Sequence, residues 1–250
     1  MTKVNANGIS IEVESYGALD APTVLLIMGL GAQLTLWPIE LVDALVARGF
    51  RVVRYDNRDI GLSTKFDSAG IPDMPSLMMA LMGGKAPDIA YTLTDMANDA
   101  VAVLDALGIA QAHIVGASMG GMIAQLVAAN HPTRTRTLTS IMSTTGNREL
   151  PPAKPDAMAA LTGRPTTADV DAIVAFGVAA ARIVGSPAYP AEESRLTARV
   201  RADFERSFSP AGFARQMAAI VADGDRRDRN AGITAPTLVI HGDADPLVPV

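Results

Sequence analysis

The 250-residue chain contains no cysteine. Disulfides, thiolate metal sites and a cysteine nucleophile are therefore excluded. No apolar run reaches the ~18 residues of a membrane span, although 49% of the residues are hydrophobic. There is no long basic cluster and the net charge is −5, which argues against nucleic acid and anionic membranes as partners. Met1-Thr-Lys runs into the polar Val4-Asn-Ala-Asn-Gly rather than an apolar signal core. Internal repeats and low-complexity tracts are also missing. These absences lead to the expectation of a cytoplasmic protein, monomer or homodimer, that acts on a small molecule. Neither a cofactor nor a metal is expected, because the Asp-x-Asp at Asp243 and Asp245 has no further ligand cluster beside it.

What the chain does have is an alternation of strand and helix patterns. Ile9-Ser-Ile-Glu-Val-Glu-Ser alternates apolar and polar residues, as a half-exposed strand does. Thr23-Val-Leu-Leu-Ile-Met is continuously apolar, as a parallel strand buried on both faces should be. A helix over 38–48, stopped by Gly49, and a strand over 51–55 follow. The helix expected over 95–107 puts Met96, Ala100, Val103, Leu104 and Leu107 on one face, with Thr94 as its cap. Then come a strand from His113, a helix over 119–130 and a strand over 137–142. Such alternation requires a mostly parallel sheet with helices on both faces.

The pattern changes near Thr145. Helical segments over 156–161, 168–183, 191–208 and 210–223 contain no convincing strand, and Pro236-Thr-Leu-Val-Ile-His restores one. The expected organisation is a core over 1–145, an inserted helical cap over 146–230 and a return of the core over 231–250. The methionine-rich stretch 75–82 is either a second small lid or ordinary core.

Gly116-Ala117-Ser118-Met119-Gly120 is a G-x-S-x-G run between a strand pattern and a helix pattern. In that setting Ser118 is a candidate nucleophile, held on a strained turn so that its hydroxyl projects. Gly116 and Gly120 remove side chains that would collide at the turn. The N–H of Met119, at the start of the helix, is one candidate donor to an oxyanion. The second is sought in the loop Met28-Gly29-Leu30-Gly31-Ala32.

Tyr55-Asp-Asn-Arg-Asp-Ile-Gly-Leu-Ser63, Val115-Gly-Ala-Ser-Met-Gly-Gly121 and Pro236-Thr-Leu-Val-Ile-His-Gly-Asp-Ala-Asp-Pro246 carry a resemblance. Through them the chain resembles the α/β-hydrolase superfamily, in particular esterases of the aclacinomycin methylesterase type. The resemblance implies an α/β-hydrolase fold, an oxyanion donor at the Leu30 amide and a triad acid at Asp245, which Pro246 follows directly. Many relatives have His-Gly where this chain has Met28-Gly29; the donor is a backbone group, so its role survives the change. Asp56, Arg58 and Ser63 are expected to brace a loop.

The resemblance also places the triad histidine after the next βα unit, roughly 30 residues past the acid, and thus beyond residue 250. His113 lies ~16 Å from Ser118 along an extended strand, and His131 ~20 Å along the helix. His241 is a strand-end structural residue or a substitute base. The chain is accordingly expected to be a shortened form whose last strand becomes an exposed sheet edge. The leading expectation is a serine hydrolase acting on a small-molecule carboxylic ester through an acyl-enzyme. A lactone hydrolase with the same site, or a catalytically silent scaffold that binds a small ligand, are the alternatives. Trp37, Met78, Met82, Phe176 and Phe208 either line the substrate pocket or belong to the core.

Overall fold

The computed structural model describes residues 2–163, 165, 167 and 169–250. The chain opens on β1 (Thr2–Ala6), β2 (Ile9–Tyr16), β3 (Thr23–Ile27), α1 (Ile39–Val46) and β4 (Arg51–Tyr55). It continues with α2 (Met74–Met82), α3 (Leu93–Ala106), β5 (Ala112–Ala117), α4 (Met119–Asn130) and β6 (Thr135–Ile141). Then follow α5 (Pro155–Thr162), α6 (Val170–Val184), α7 (Glu193–Arg206), α8 (Pro210–Asp223), α9 (Arg227–Asn230) and β7 (Thr237–Ile240). The strands make one sheet in the order β1-β2-β4-β3-β5-β6-β7. Only the β1–β2 and β2–β4 pairings are antiparallel; β4, β3, β5, β6 and β7 run parallel.

The centre of the sheet follows from side-chain alternation along β3. Leu25 and Ile27 enter one apolar cluster with Met96, Leu104, Ile123 and Leu126, the faces of α3 and α4. Val24 and Leu26 enter another with Trp37 and Val42, beneath α1. A strand whose successive side chains are covered on opposite faces must be apolar throughout, and this explains the unbroken Thr23–Ile27 run.

Two local expectations are corrected. The first strand, β1, was not foreseen, because its side chains alternate little and are mostly exposed. Asn7 (φ 50) and Gly8 (φ 78) form the two-residue turn that pairs it with β2, the hairpin signal of an Asn-Gly dipeptide. Helix α3 begins two residues earlier than the apolar periodicity suggests, so its cap is Thr92 and not Thr94. The Thr92 hydroxyl accepts from the Asp95 N–H at 3.1 Å, and the Asp95 carboxylate accepts from the Thr92 N–H at 2.8 Å. This reciprocal pair satisfies two amides that the helix itself cannot.

The chain divides into two compact units, one holding residues up to Asn147 together with 209–240, the other 148–208 together with 241–250. Helices α8 and α9 thus belong with the sheet and not with the preceding helices, unlike in the 146–230 block read from sequence. The reason is that α8 buries Gly212, Arg215, Gln216, Ala218 and Ala219 within the first unit. In the second unit α6 and α7 pack around Val174, Val178 and Leu196. The first residue of the helix expected over 168–183, Ala168, lies outside the described residues. On β7, the last strand of the sheet, Leu238, Val239 and Ile240 are 55%, 66% and 46% exposed. Among the described residues no helix is long and apolar enough to cross a membrane.

Candidate active site

Strand β5 ends at Ala117 and α4 begins at Met119, leaving Ser118 alone to turn the chain. Its backbone is left-handed, with φ 55° and ψ −121°, a conformation that costs a non-glycine residue about 1–3 kcal/mol. Four hydrogen bonds hold it there. The Ser118 N–H donates to the Ile141 carbonyl at 2.9 Å. The Ser118 carbonyl accepts from the N–H groups of Gly121 and Met122, at 2.8 and 3.2 Å, and from the Ser143 hydroxyl at 2.8 Å. Ser143 is a contributor that sequence reading missed, because the contact spans 25 residues.

The flanking glycines are required by backbone contact. A Cβ on Gly116 would lie 2.0 Å from the Gly120 carbonyl oxygen, and one on Gly120 would lie 2.1 Å from that of Ile27. The ends of β3 and β5 and the first turn of α4 therefore meet backbone against backbone. Gly120→Ala is expected to destabilise the protein by about 3 kcal/mol, because a carbonyl oxygen cannot swing aside as a side chain can. A thermal melt should register this as a drop of roughly 6–12 °C in Tm.

The loop after β3 lies against the serine. A Cβ on Gly29 would be 3.2 Å from the Ser118 Cβ and 3.6 Å from its Oγ. The next residue, Leu30, has an N–H with no protein acceptor among the described residues. Met119 is the first residue of α4, so its N–H also lacks an intrahelical partner, and the positive end of the helix dipole is centred there. Ser118, Met119, Leu30, Gly116 and Gly120 are thus brought together in the first unit. The loop itself is tied down by buried residues: the Asn57 amide donates to the Met28 carbonyl, and an Asp56 carboxylate oxygen accepts from the Leu34 N–H, each at 2.8 Å.

The other polar residues of the loop after β4 tie it to neighbouring elements. The Ser63 hydroxyl donates to the Asp56 carbonyl at 2.6 Å and accepts from the Glu12 N–H at 3.0 Å. The Arg58 guanidinium grips the Asp99 carboxylate, with both contacts at 2.6 Å. Neighbouring Asp59 is fully buried at φ 73° and takes two 2.7 Å hydrogen bonds from Arg215 and one from the Tyr91 hydroxyl. Burial pushes the Asp59 carboxyl up, but Arg215, the Phe66 N–H and Tyr91 together hold it below the usual carboxylate range.

The histidines are engaged elsewhere. His113 pairs its Nδ1 with the Thr137 hydroxyl at 2.9 Å and stands edge-on to the Phe50 ring. His131 pairs with the Asn98 side-chain oxygen at 3.1 Å. Burial, helped by Arg136 beside His113 and Arg134 beside His131, lowers both imidazole pKa values. His241 and Asp245 fall in the second unit. There the Asp245 carboxylate accepts from the N–H groups of Leu247 and Val248, both at 2.9 Å. The His241 Nε2 contacts the Val248 carbonyl at 2.6 Å and is 3.8 Å from Asp245. Asp243 is exposed.

Of the five candidate pocket residues, Trp37, Met78 and Met82 lie in the first unit and Phe176 and Phe208 in the second. Trp37 is 5% exposed and packs among Val24, Leu26, Val42 and Val52. On α2 only Leu77 is buried, while Met78 and Met82 are 46% and 84% exposed. In the second unit Phe176 is half-buried, and Phe208 is 56% exposed with its ring 5.1 Å from that of Phe204. Among the described residues no group of His, Asp and Glu is arranged to hold a metal ion.

Residues 22–250 match the sequence profile of the alpha/beta hydrolase fold family. A rhodomycin D methylesterase, DauP of Streptomyces sp. strain C5, is 40% identical over 123 residues, 49% of this chain. The chain spans 35% of that relative's length. A putative carbamate hydrolase, RutD of Variovorax paradoxus, is 30% identical over 244 residues, covering 96% of this chain and 80% of the relative. Among solved structures, the enol-lactonase of Burkholderia xenovorans LB400 superposes with a TM-score of 0.69 at 26% identity, over 96% of this chain and 81% of that one. The profile match, the near full-length relative and the strand–Ser118–helix turn on a mostly parallel sheet agree: the chain belongs to the alpha/beta hydrolase fold family.

Proposed function

We propose that this protein is a serine hydrolase of small-molecule carboxylic esters, with Ser118 as the nucleophile. The observation that carries the reading is the left-handed Ser118 at the head of α4 with Gly29 packed against its side chain. In this reading the hydroxyl works beside two amides: that of Leu30, with no protein acceptor among the described residues, and that of Met119, with no intrahelical partner. The Ser118 oxygen bonds to the ester carbonyl carbon as its proton passes to a base, and the two amides bind the resulting oxyanion. Collapse of the tetrahedral adduct breaks the bond to the alkoxide, which takes the proton from the base. Water then hydrolyses the acyl-enzyme by the same sequence and frees Ser118.

In this reading the base is a histidine beyond residue 250, oriented by Asp245. Support comes from the side chains present: His113 and His131 are paired with Thr137 and Asn98. His113 also stands at the opposite end of β5 from Ser118. The partner is a small ester, taken up without cofactor or metal. Lactones are the second reading, favoured by the 26% identity to the enol-lactonase across nearly the whole chain.

A fluorophosphonate probe tests the mechanism, since it phosphonylates only an activated serine. The full-length protein should acquire one adduct, located on Ser118 by peptide mass, and absence of labelling overturns the proposal. Rates for the 250-residue chain and for the protein extended past Val250 place the base. Labelling in the extended form alone supports the histidine beyond residue 250; equal labelling of both forms assigns the base to His241. A panel of methyl esters, enol-lactones and carbamates then separates the two substrate readings.

A further inference from the structure

Helix α8 meets the loop after β3 through a buried side-chain amide and an aromatic ring. Gln216 is 0% exposed. Its side-chain oxygen accepts from the Gly31 N–H at 2.9 Å, and its side-chain nitrogen donates to the Arg58 carbonyl at 2.8 Å. One turn back on the same face, Phe213 closes over the loop: a Cβ on Gly31 would lie 2.5 Å from its Cδ2. Gly31 is itself left-handed, with φ 67°. The loop is thereby held at both ends by Asn57 and Asp56, and in the middle by Gln216.

The consequence concerns which amides remain free. The Ala32 N–H closes a turn onto the Gly29 carbonyl at 3.2 Å, and the Leu34 N–H is bound by Asp56. With the Gly31 N–H bound by Gln216, the neighbouring Leu30 N–H is left without a protein acceptor among the described residues. The Leu30–Gly31 peptide is rigid and planar, so anchoring its N–H fixes it in space. Only the two soft torsions at Leu30 then separate that fixed plane from the plane carrying the Leu30 N–H.

We propose that Gln216 is a positioning residue: it anchors the Gly31 amide so that the Leu30 amide, and not Gly31, faces the oxyanion formed on Ser118. The proposal rests on the serine-hydrolase reading above. Gln216 touches neither substrate nor Ser118; it acts through the loop. Removing its acceptor releases the plane that aims the Leu30 N–H, and displacements of about 1 Å at such a donor lower rates by up to ~100-fold. The ground-state ester makes little use of the donor, so the loss should fall on kcat rather than KM.

Gln216→Met keeps the volume and removes both hydrogen bonds. In the full-length protein it should lower kcat by about 10–100-fold with KM unchanged within a factor of about two. It should weaken an arylboronic acid, which forms a tetrahedral adduct on Ser118, by the same factor as kcat. A merely structural residue would lower Tm and leave both unchanged, and that result overturns the inference. Amide exchange in the wild-type protein gives a second test that needs no variant. The Gly31 amide should be protected in the free protein, and the Leu30 amide only after the boronate is added. If Gly31 exchanges as freely as Leu30, the anchoring is refuted. A wild-type protein that is neither labelled by fluorophosphonate nor active overturns both readings. A labelled, active protein in which Gln216→Met behaves like wild type overturns this one alone.

Discussion

Ser118→Ala is expected to reduce kcat for ester hydrolysis by about 10⁶-fold, the scale found when a serine hydrolase loses its nucleophile. A loss of that size corresponds to roughly 8 kcal/mol of transition-state stabilisation. It should arise without loss of stability. The strained backbone at Ser118 is held by bonds to its N–H and carbonyl, from Ile141, Gly121, Met122 and Ser143, and none of them uses the side chain. The variant should therefore melt with the wild type while showing neither an acyl-enzyme burst nor phosphonylation. Residual turnover of about 10³–10⁴ over water would reflect the two amides, which the substitution leaves in place. Stopped-flow kinetics on a chromogenic ester, with intact mass before and after, measure both parts.

Arg215→Met should be the most destabilising single change on α8, by about 3–5 kcal/mol. Arg215 and Asp59 are 1% and 0% exposed and meet through two hydrogen bonds of 2.7 Å. Taking away the guanidinium leaves a buried carboxylate with the Tyr91 hydroxyl, the Phe66 N–H and the more distant charge of Lys65 to offset it. For a protein of this length the expected fall in Tm is roughly 6–20 °C. The pair also sets a pH dependence. The folded Asp59 carboxyl lies below its usual range, so as pH falls the unfolded chain takes up the proton first. The stability contributed by the pair is therefore complete above about pH 4, near the unperturbed carboxyl value, and is lost as pH falls further. Denaturant melts from pH 6 downward should show wild type losing more stability than Arg215→Met, which no longer has that ionic contribution to lose.

Sequence and structure agree most closely where local chemistry is strongest. The β4 range Arg51–Tyr55 and the helices Met119–Asn130 and Pro210–Asp223 fall where periodicity and turn residues place them. The turn at Ser118 and its flanking glycines are likewise legible, because a strand that passes directly into a helix needs small residues at those spacings. Strand β1 was overlooked because an exposed edge strand carries little apolar alternation, although Asn7-Gly8 marked its turn. The cap of α3 lies two residues before the expected Thr94, because the buried face already begins at Leu93, one turn ahead of Met96. The extent of the helical block was misjudged for another reason: α8 is helical like its neighbours, and only its buried face shows that it packs with the sheet.

By itself the sequence determined the class of chain, the serine turn and the alternation that makes a mostly parallel sheet, since each rests on residues close together in the chain. Tertiary structure alone decided how the site is braced. The Ser143 contact to Ser118 spans 25 residues, the Asp59–Arg215 pair 156 and the Gln216 contact to Gly31 185. A glutamine in a helix carries no local mark of which amide it will meet. Hydrogen-bond partners at such separations are selected by how the elements pack, so the loop that aims the Leu30 amide becomes readable only once α8 lies against it.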